Sequence, residues 1–234
     1  MKLKDYVAID LEMTGVSPGE DKIIEIGAVR IRDGKANETF QTFVNPKRPI
    51  PLRVVELTGI TDEMIKDAPE EDVAIEQFLD FLGEDTLVGH SIKFDYSFLK
   101  QWAINKKRTL EKNACDTFKI SRKLLPSEQP KSLEALCKYF QIERKYAHRA
   151  LDDALETAQL FEKLKQITED DAIFEPKKLV YRAKRQTPAT PKQLQALKEY
   201  RQRHYITDEI NWEILTRNEV SRMMDKYYIM YGRD

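Results

Sequence analysis

The sequence predicts a mixed α/β fold in one main domain, followed by a small helical appendage. Three observations carry this expectation: strand-like segments separated by turn signals at the start, alternating strand and helix patterns after them, and a change of texture and charge near residue 175. Tyr6 to Glu12 reads as a strand, and its apolar run Val7, Ala8, Ile9 marks it as buried. Ile23 to Ile31 and Thr39 to Val44 read as two more, with Asp33-Gly34 as the turn between them, so the chain opens on an antiparallel meander. A helix is expected from near Pro69, where Asp67 and Glu70 have capping-box spacing, with Ile75, Phe78, Leu79 and Leu82 on its apolar face. A strand at Thr86 to Gly89 follows, then a helix around Asp95 to Ile104, a short strand near Ala114 to Asp116, and a helix from Phe118 to Leu124 that stops before Pro126. Ser132 caps a segment in which Leu133, Leu136, Cys137 and Phe140 recur at helical spacing, and a longer helix runs from about Ala150 to Lys165.

The expected division is a main domain over 1–174, a linker over 175–190 rich in Pro and Thr, and a small basic helical domain over 191–234. Two helices are expected in the last part, because Thr190 with Gln193 and Thr216 with Glu219 both have capping-box spacing and Pro191 stands at a first helical position. Residues 1–174 carry 26 basic and 32 acidic side chains, whereas 175–234 carry 13 and 8. An acidic part suits cations, and a basic tail containing Arg182, Lys184, Arg185, Lys192, Lys198, Arg201 and Arg203 suits phosphates. No run approaches the roughly 18 apolar residues of a membrane helix, and the start has no signal-peptide pattern, so no membrane role and a cytoplasmic location are expected. Cys115 and Cys137 sit among apolar neighbours without metal-site spacing, which predicts buried free thiols.

Three short segments carry candidate chemistry. Asp10 and Glu12 are two apart on a strand, so both leave one face and can share a cation, although an isolated Asp-x-Glu is usually a solvated pair. Gly89 to Leu99 is a strand-to-helix turn that puts Asp95 in the first helical turn, where a carboxylate also simply complements the helix dipole. His148 stands on a loop before a helix bearing Asp152 and Asp153, which lie about 100° apart around the axis, so only one can enter a common site. The spacing alone leaves open which.

Taken together, Ile9-Asp10-Leu11-Glu12-Met13-Thr14-Gly15, Gly89-His90 through Leu99, and His148 through Ala154 resemble, in order and spacing, the three motifs of the DEDDh 3′→5′ exonuclease family. Glu56 to Thr61, Cys115-Asp116-Thr117 and Ser132 to Cys137 resemble further family segments. The likeness covers about residues 5–166 and is nearest to proofreading members, the epsilon subunit of DNA polymerase III and the exonuclease domain of Gram-positive replicative polymerases. It implies a ribonuclease H-like fold with a five-stranded mixed sheet. It further implies Asp10, Glu12, Asp95 and Asp153 as metal-binding carboxylates and His148 as general base, the family spacing selecting Asp153 over Asp152. Leu57 and Ile60 would pack on the terminal base, the backbone around Met13 and the side chain of Thr14 would lie near the terminal nucleotide, and Leu11, His90 and Phe94 complete the implied substrate contacts.

Hydrolysing a phosphodiester requires bringing an anionic nucleophile to an anionic phosphate and stabilising an alkoxide, which two divalent cations accomplish together. An oxygen-rich set of four carboxylates suits two Mg²⁺ or Mn²⁺. The expected activity is removal of nucleoside 5′-monophosphates from single-stranded or frayed 3′ ends, with DNA favoured over RNA and a DNA polymerase or other replication protein as a possible partner. Met13 replaces the usual proofreading Thr and Ser91 the usual Asn, which keeps an RNase T-like or oligoribonuclease-like RNA exonuclease as the alternative. A non-catalytic nucleic-acid-binding or polymerase-tethering module is the other, and the complete acidic set argues against it.

Overall fold

The structure is a computed structural model and describes residues 2–144, 148–183 and 185–233; Lys184 of the basic stretch lies outside them. Its centre is a sheet in the order β3-β2-β1-β4-β5-β6. The strands are β1 (Tyr6–Met13), β2 (Ile23–Arg32), β3 (Lys35–Phe43), β4 (Leu87–Gly89), β5 (Asn113–Asp116) and β6 (Lys177–Lys178). The first three form the antiparallel meander, whereas β4 is parallel to β1 and β5 parallel to β4. Six strands replace the expected five because Lys177–Lys178, read from sequence as linker, pairs antiparallel with β5. The apolar Leu179 that follows is 8% exposed in the main core, which holds this segment against the sheet.

Among the described residues there are nine α-helices, α1 (Leu52–Thr58), α2 (Asp62–Ile65), α3 (Glu71–Leu82), α4 (Lys93–Asn105), α5 (Thr117–Leu124), α6 (Leu133–Tyr139), α7 (Ala150–Gln166), α8 (Pro191–Arg203) and α9 (Arg217–Tyr231), and a short 3-10 helix at Asp171–Phe174. Alternation along β1 sends side chains to opposite faces. Val7, Ile9 and Leu11 pack with residues of α3 and α4, including Phe78, Tyr96 and Trp102. Tyr6 and Ala8 pack with α6 and α7, where the Tyr6 and Phe161 rings meet edge-on at 5.1 Å. Asp10 and Glu12 continue this second row toward α7. The capping box expected at Asp67 and Glu70 does not form: Asn45 N donates to Pro69 O, Asn45 bridges Glu70, and this extended pairing delays the helix to Glu71.

Cys115 and Cys137 are buried free thiols, as expected. Among the described residues no helix is long and apolar enough to cross a membrane. Both C-terminal capping boxes form, at Thr190 with Gln193 and at Thr216 with Glu219. Leu197, Tyr200, Leu215, Val220 and Tyr227 make a cluster between α8 and α9, so part of the tail's aromatic content is internal, while Tyr205 is 89% exposed. The pair leans on the main domain through Arg48–Glu219 at 2.8 Å and Arg222–Glu20 at 2.7 Å.

Candidate active site

The C-terminal ends of parallel strands are where an open α/β sheet leaves a crevice. Here β1 ends in Asp10 and Glu12, with a register shift at Glu12/Met13, and β4 ends at Gly89 beside it. Ser91 takes a left-handed conformation (φ 65°) at the turn out of β4, a region that Asn occupies more readily than Ser, and its N–H donates to Asp116 Oδ1 at 3.2 Å. The turn delivers Asp95 into the first turn of α4, 4% exposed, where its Oδ1 accepts from Leu11 N at 3.1 Å. That bond fixes α4 to β1.

The third segment is brought in by α7. Gly27 on β2 makes the approach possible, since a Cβ there would lie 2.1 Å from the backbone of Ala150 and Leu151. Beside it Glu25, fully buried and paired with Glu12 across β1 and β2, accepts from Ala150 N at 3.1 Å and from both Arg149 Nε and Nη2, at 3.2 and 2.9 Å. Glu25 therefore caps and orients the start of α7. His148 precedes it with φ 61°, and its N–H donates to Asp153 Oδ2 at 3.2 Å. Ligand atoms of Glu12, His148 and Asp153 lie within 4.8 Å of one another. Asp153 is 6% exposed and turned inward, whereas its neighbour Asp152 is half-buried on another side of the helix. Asp10 and Asp95 stand outside that trio but act on it electrostatically.

The charges repel. Burial, then the charges of Asp95, Glu12, Asp153 and Glu25, push the Asp10 carboxyl well above the ordinary range. Burial and then Asp153, Glu25 and Asp95 push Glu12 up to about 8, with Arg149 opposing. Burial pushes Asp95 up to about 7 against the lowering effect of backbone hydrogen bonds, including that from Leu11. Arg144 partly answers this field, donating to Asp153 Oδ1 at 2.6 Å and pairing with Glu156 Oε2 at 2.8 Å. Glu156, one turn beyond Asp153, is itself pushed up to about 7, chiefly by burial.

Of the expected substrate contacts, Leu57 and Phe94 offer side-chain surface, at 56% and 39% exposure. The side chains of Leu11 and Ile60 are instead turned into the core, because each fills an apolar cluster; Met13, expected to act through its backbone, also buries its side chain there. Thr14 is also buried, its hydroxyl accepting from Lys22 N at 2.9 Å and contacting Asp21 Oδ1 at 3.3 Å. His90 Nδ1 lies 2.9 Å from Thr117 Oγ1, and burial lowers its pKa, so it is kept neutral. Sequence reasoning missed Glu25, Arg144, Arg149 and Glu156. Glu25 had a legible signal, a lone carboxylate within the apolar run Ile23 to Val29.

A cluster of carboxylates at the head of β1, closed by helix-borne residues over a mixed sheet, defines an exonuclease domain of ribonuclease H-like fold. The chain belongs to the RNase_T exonuclease family, whose model, described as Exonuclease, matches residues 7–161. It is 41% identical over 160 residues to the DNA polymerase III PolC-type of Caldanaerobacter subterraneus subsp. tengcongensis, and 41% over 164 residues to that of Bacillus subtilis. Each alignment covers 68% of this chain but 11% of the relative, so the chain spans about a tenth of the length of these proteins. Among solved structures it is similar to Exonuclease X in complex with 5′ overhanging duplex DNA, with TM-score 0.57 and 28% identity over 69% of this chain and 91% of that one. The nuclease domain of 3′hExo, a DEDDh family member bound to rAMP, shares the fold, with TM-score 0.63 and 20% identity over 76% and 98% of the two chains.

Proposed function

We propose that this chain is a divalent-metal-dependent 3′→5′ exonuclease that removes nucleoside 5′-monophosphates from single-stranded or frayed DNA ends. The observation that carries the reading is the convergence of Glu12, His148 and Asp153, whose ligand atoms lie within 4.8 Å of one another, with the carboxyls of Asp10 and Asp95 close enough to repel them. A hard cation relieves such a field, and an all-oxygen donor set from Asp10, Glu12, Asp95 and Asp153 fits Mg²⁺ or Mn²⁺. Bound there, two such ions would supply the charge that makes a water nucleophilic and neutralises the departing 3′ oxygen.

The protein's own groups do the rest. Asp95, tied to Leu11, and Asp153, gripped by Arg144 and the His148 N–H, are held in place before any ligand arrives. His148 is exposed on the loop entering α7, with a ring nitrogen within reach of Glu12 and Asp153, so its imidazole takes the proton from the attacking water as the P–O3′ bond breaks. Leu57 and Phe94 border the place of the terminal nucleotide. Residues 1–174 carry catalysis in this reading, and the basic α8–α9 unit holds more distant phosphates. The DNA preference is supported by the polymerase relatives and by the DNA complex of Exonuclease X.

The test is digestion of end-labelled single-stranded DNA, duplex DNA with and without a 3′ mismatch, and RNA of the same sequence, each with and without Mg²⁺ or Mn²⁺. Metal-dependent shortening from the 3′ end, faster on DNA and on the mismatched duplex, is expected. Faster digestion of RNA would replace DNA as the substrate, and no digestion would leave a binding module.

A further inference from the structure

The described residues 177–183 and 185–186 run back over the catalytic domain. After the β6 pairing, Leu179 N donates to Lys112 O at 2.9 Å, Tyr181 Oη donates to Gln101 Oε1 at 3.3 Å, and Gln186 N donates to Asn105 Oδ1 at 2.8 Å. The Gln186 amide also reaches Gly19 O. The segment thus lies along α4 and ends at the loop between β1 and β2.

Tyr181 thereby forms one wall of a cleft of about 540 Å³, with Val16 and Pro18 of that loop, Phe94 of α4 and Phe118 of α5 as other walls. The cleft is largely apolar, and Val16 within it is 74% exposed. Lys93 and Lys119 stand on the same rim. Its acidic member, Asp116, accepts from Ser91 N and Lys119 N through Oδ1 and pairs through Oδ2 with Lys119 Nζ at 3.5 Å, so Lys93 is the cation of this rim that Asp116 does not neutralise, and the largely exposed Lys119 ammonium can exchange this pair for a phosphate. Phe94 directly precedes Asp95, so the cleft adjoins the carboxylate cluster.

We propose that this cleft receives unpaired nucleobases of the scissile strand on the 5′ side of the terminal nucleotide, which Tyr181, Phe94 and Phe118 stack upon while Lys93 and Lys119 face the phosphates. The proposal rests on the exonuclease reading above. A strand whose 3′ end lies at Asp10 and Glu12 must continue over neighbouring surface, and this surface combines aromatic faces with cations, the combination that holds single strands without reading sequence. The volume falls within the range of preformed ligand clefts, roughly 300–1,000 Å³. Tyr181 lies beyond the family match, which ends at residue 161, so this wall is supplied by the extension and not by the shared domain.

Two variants separate stacking from packing: Tyr181→Leu keeps an apolar contact with the core but removes the ring, and Tyr181→Phe keeps the ring but removes the bond to Gln101. Both are made in an Asp153→Asn background to slow turnover, and binding of 5′-fluorescein-labelled thymidine oligomers in Mg²⁺ is read by anisotropy over times short against the residual digestion. For a strand of about a dozen nucleotides, Tyr181→Leu is expected to bind about tenfold more weakly, the scale of losing one base–aromatic stack, and Tyr181→Phe to bind as its parent. Competition by thymidine 5′-monophosphate, which reaches only the terminal position, should give the same inhibition constant in all three. Equal affinity of Tyr181→Leu and parent for the long strand overturns the proposal and leaves the cleft to a protein partner. An equal loss for the monophosphate, or a loss in Tyr181→Phe matching that in Tyr181→Leu, also overturns it, because Tyr181 would then act through structure. Failure of the exonuclease reading shows separately, as absent 3′→5′ digestion by the unmodified protein.

Discussion

The clustered carboxylates make the stability of the metal-free protein depend on pH in an unusual direction. Asp95 rises from an ordinary 3.8 to about 7 and Glu12 from 4.5 to about 8 on folding, both chiefly through burial. A folded-state pKa above the unfolded one means that the native protein binds the extra proton between the two values, so stability is full below the unfolded pKa and is lost as pH rises through the folded one. The loss therefore falls between about pH 4, near the unfolded values, and about pH 8, the upper folded value. At 1.36 kcal/mol per decade, Asp95 alone corresponds to roughly 4 kcal/mol. The carboxylates share one set of repulsions, so relieving one relieves the others, and the total stays on the order of 4 to 6 kcal/mol. For a chain of this size about 1 kcal/mol moves Tm by roughly 2–4 °C, so Tm in chelator should fall by on the order of 10 °C across that window. Saturating Mg²⁺ or Mn²⁺ should remove most of the fall, because the cation replaces the proton, and Glu12→Gln should flatten it. Differential scanning calorimetry in chelator and in metal measures both. A Tm that is flat or rising over this window in chelator, with no metal-dependent gain at the alkaline end, would show that the carboxylates do not repel one another in the folded protein.

Three further outcomes follow from the same geometry. His148→Ala should slow turnover roughly 10²–10⁴-fold while calorimetric Mn²⁺ affinity changes little, and a large loss of Mn²⁺ binding would make His148 a ligand instead of a base. Glu25→Ala removes the buried acceptor for Arg149 and Ala150 N, so it should cost about 3 kcal/mol in denaturant titrations and lower kcat at temperatures where the variant is folded; a fully active, destabilised variant would confine Glu25 to stability. A chain ending after Gln186 keeps Leu179 and Tyr181 but loses α8 and α9, and it should bind long single-stranded DNA more weakly and with a shallower salt dependence than the full chain. Identical affinity and salt slope would assign the two helices to a protein partner.

What was legible in the sequence was local. The capping boxes at Thr190 and Thr216 need only side chains three residues apart, and both form. The same spacing at Asp67 and Glu70 fails because a residue distant in sequence, Asn45, pairs with that stretch and holds it extended. Helices α1 and α2 went unforeseen because segments of seven and four residues are too short to show a helical period. Lys177–Lys178 carries no apolar alternation at all, and only the free edge of β5 makes it a strand. At the site, Asp10 with Glu12, Asp95, and His148 with Asp153 could be proposed from short motifs. The residues that hold them come from elsewhere in the chain: Glu25 acts across 125 positions on Ala150. Arg144 gave no periodic or motif signal, and its pairing with Asp153 and Glu156 exists only once α7 is in place.

End-labelled digestion with Asp153→Asn and Asp152→Asn beside the unmodified chain decides whether this carboxylate cluster removes nucleotides from 3′ ends. With 5′-labelled single-stranded DNA and Mg²⁺, the unmodified protein and Asp152→Asn should give a ladder that shortens progressively from the 3′ end. The 3′-labelled strand should lose its label as the first mononucleotide. Asp153→Asn, which removes an inward-facing charge from the cluster, should be slower by roughly 10²-fold or more while retaining the fold by circular dichroism. Internal cuts or label released first from the 5′ end would rule out 3′→5′ exonuclease action, and an active Asp153→Asn beside an inactive Asp152→Asn would move the third carboxylate of the site to Asp152.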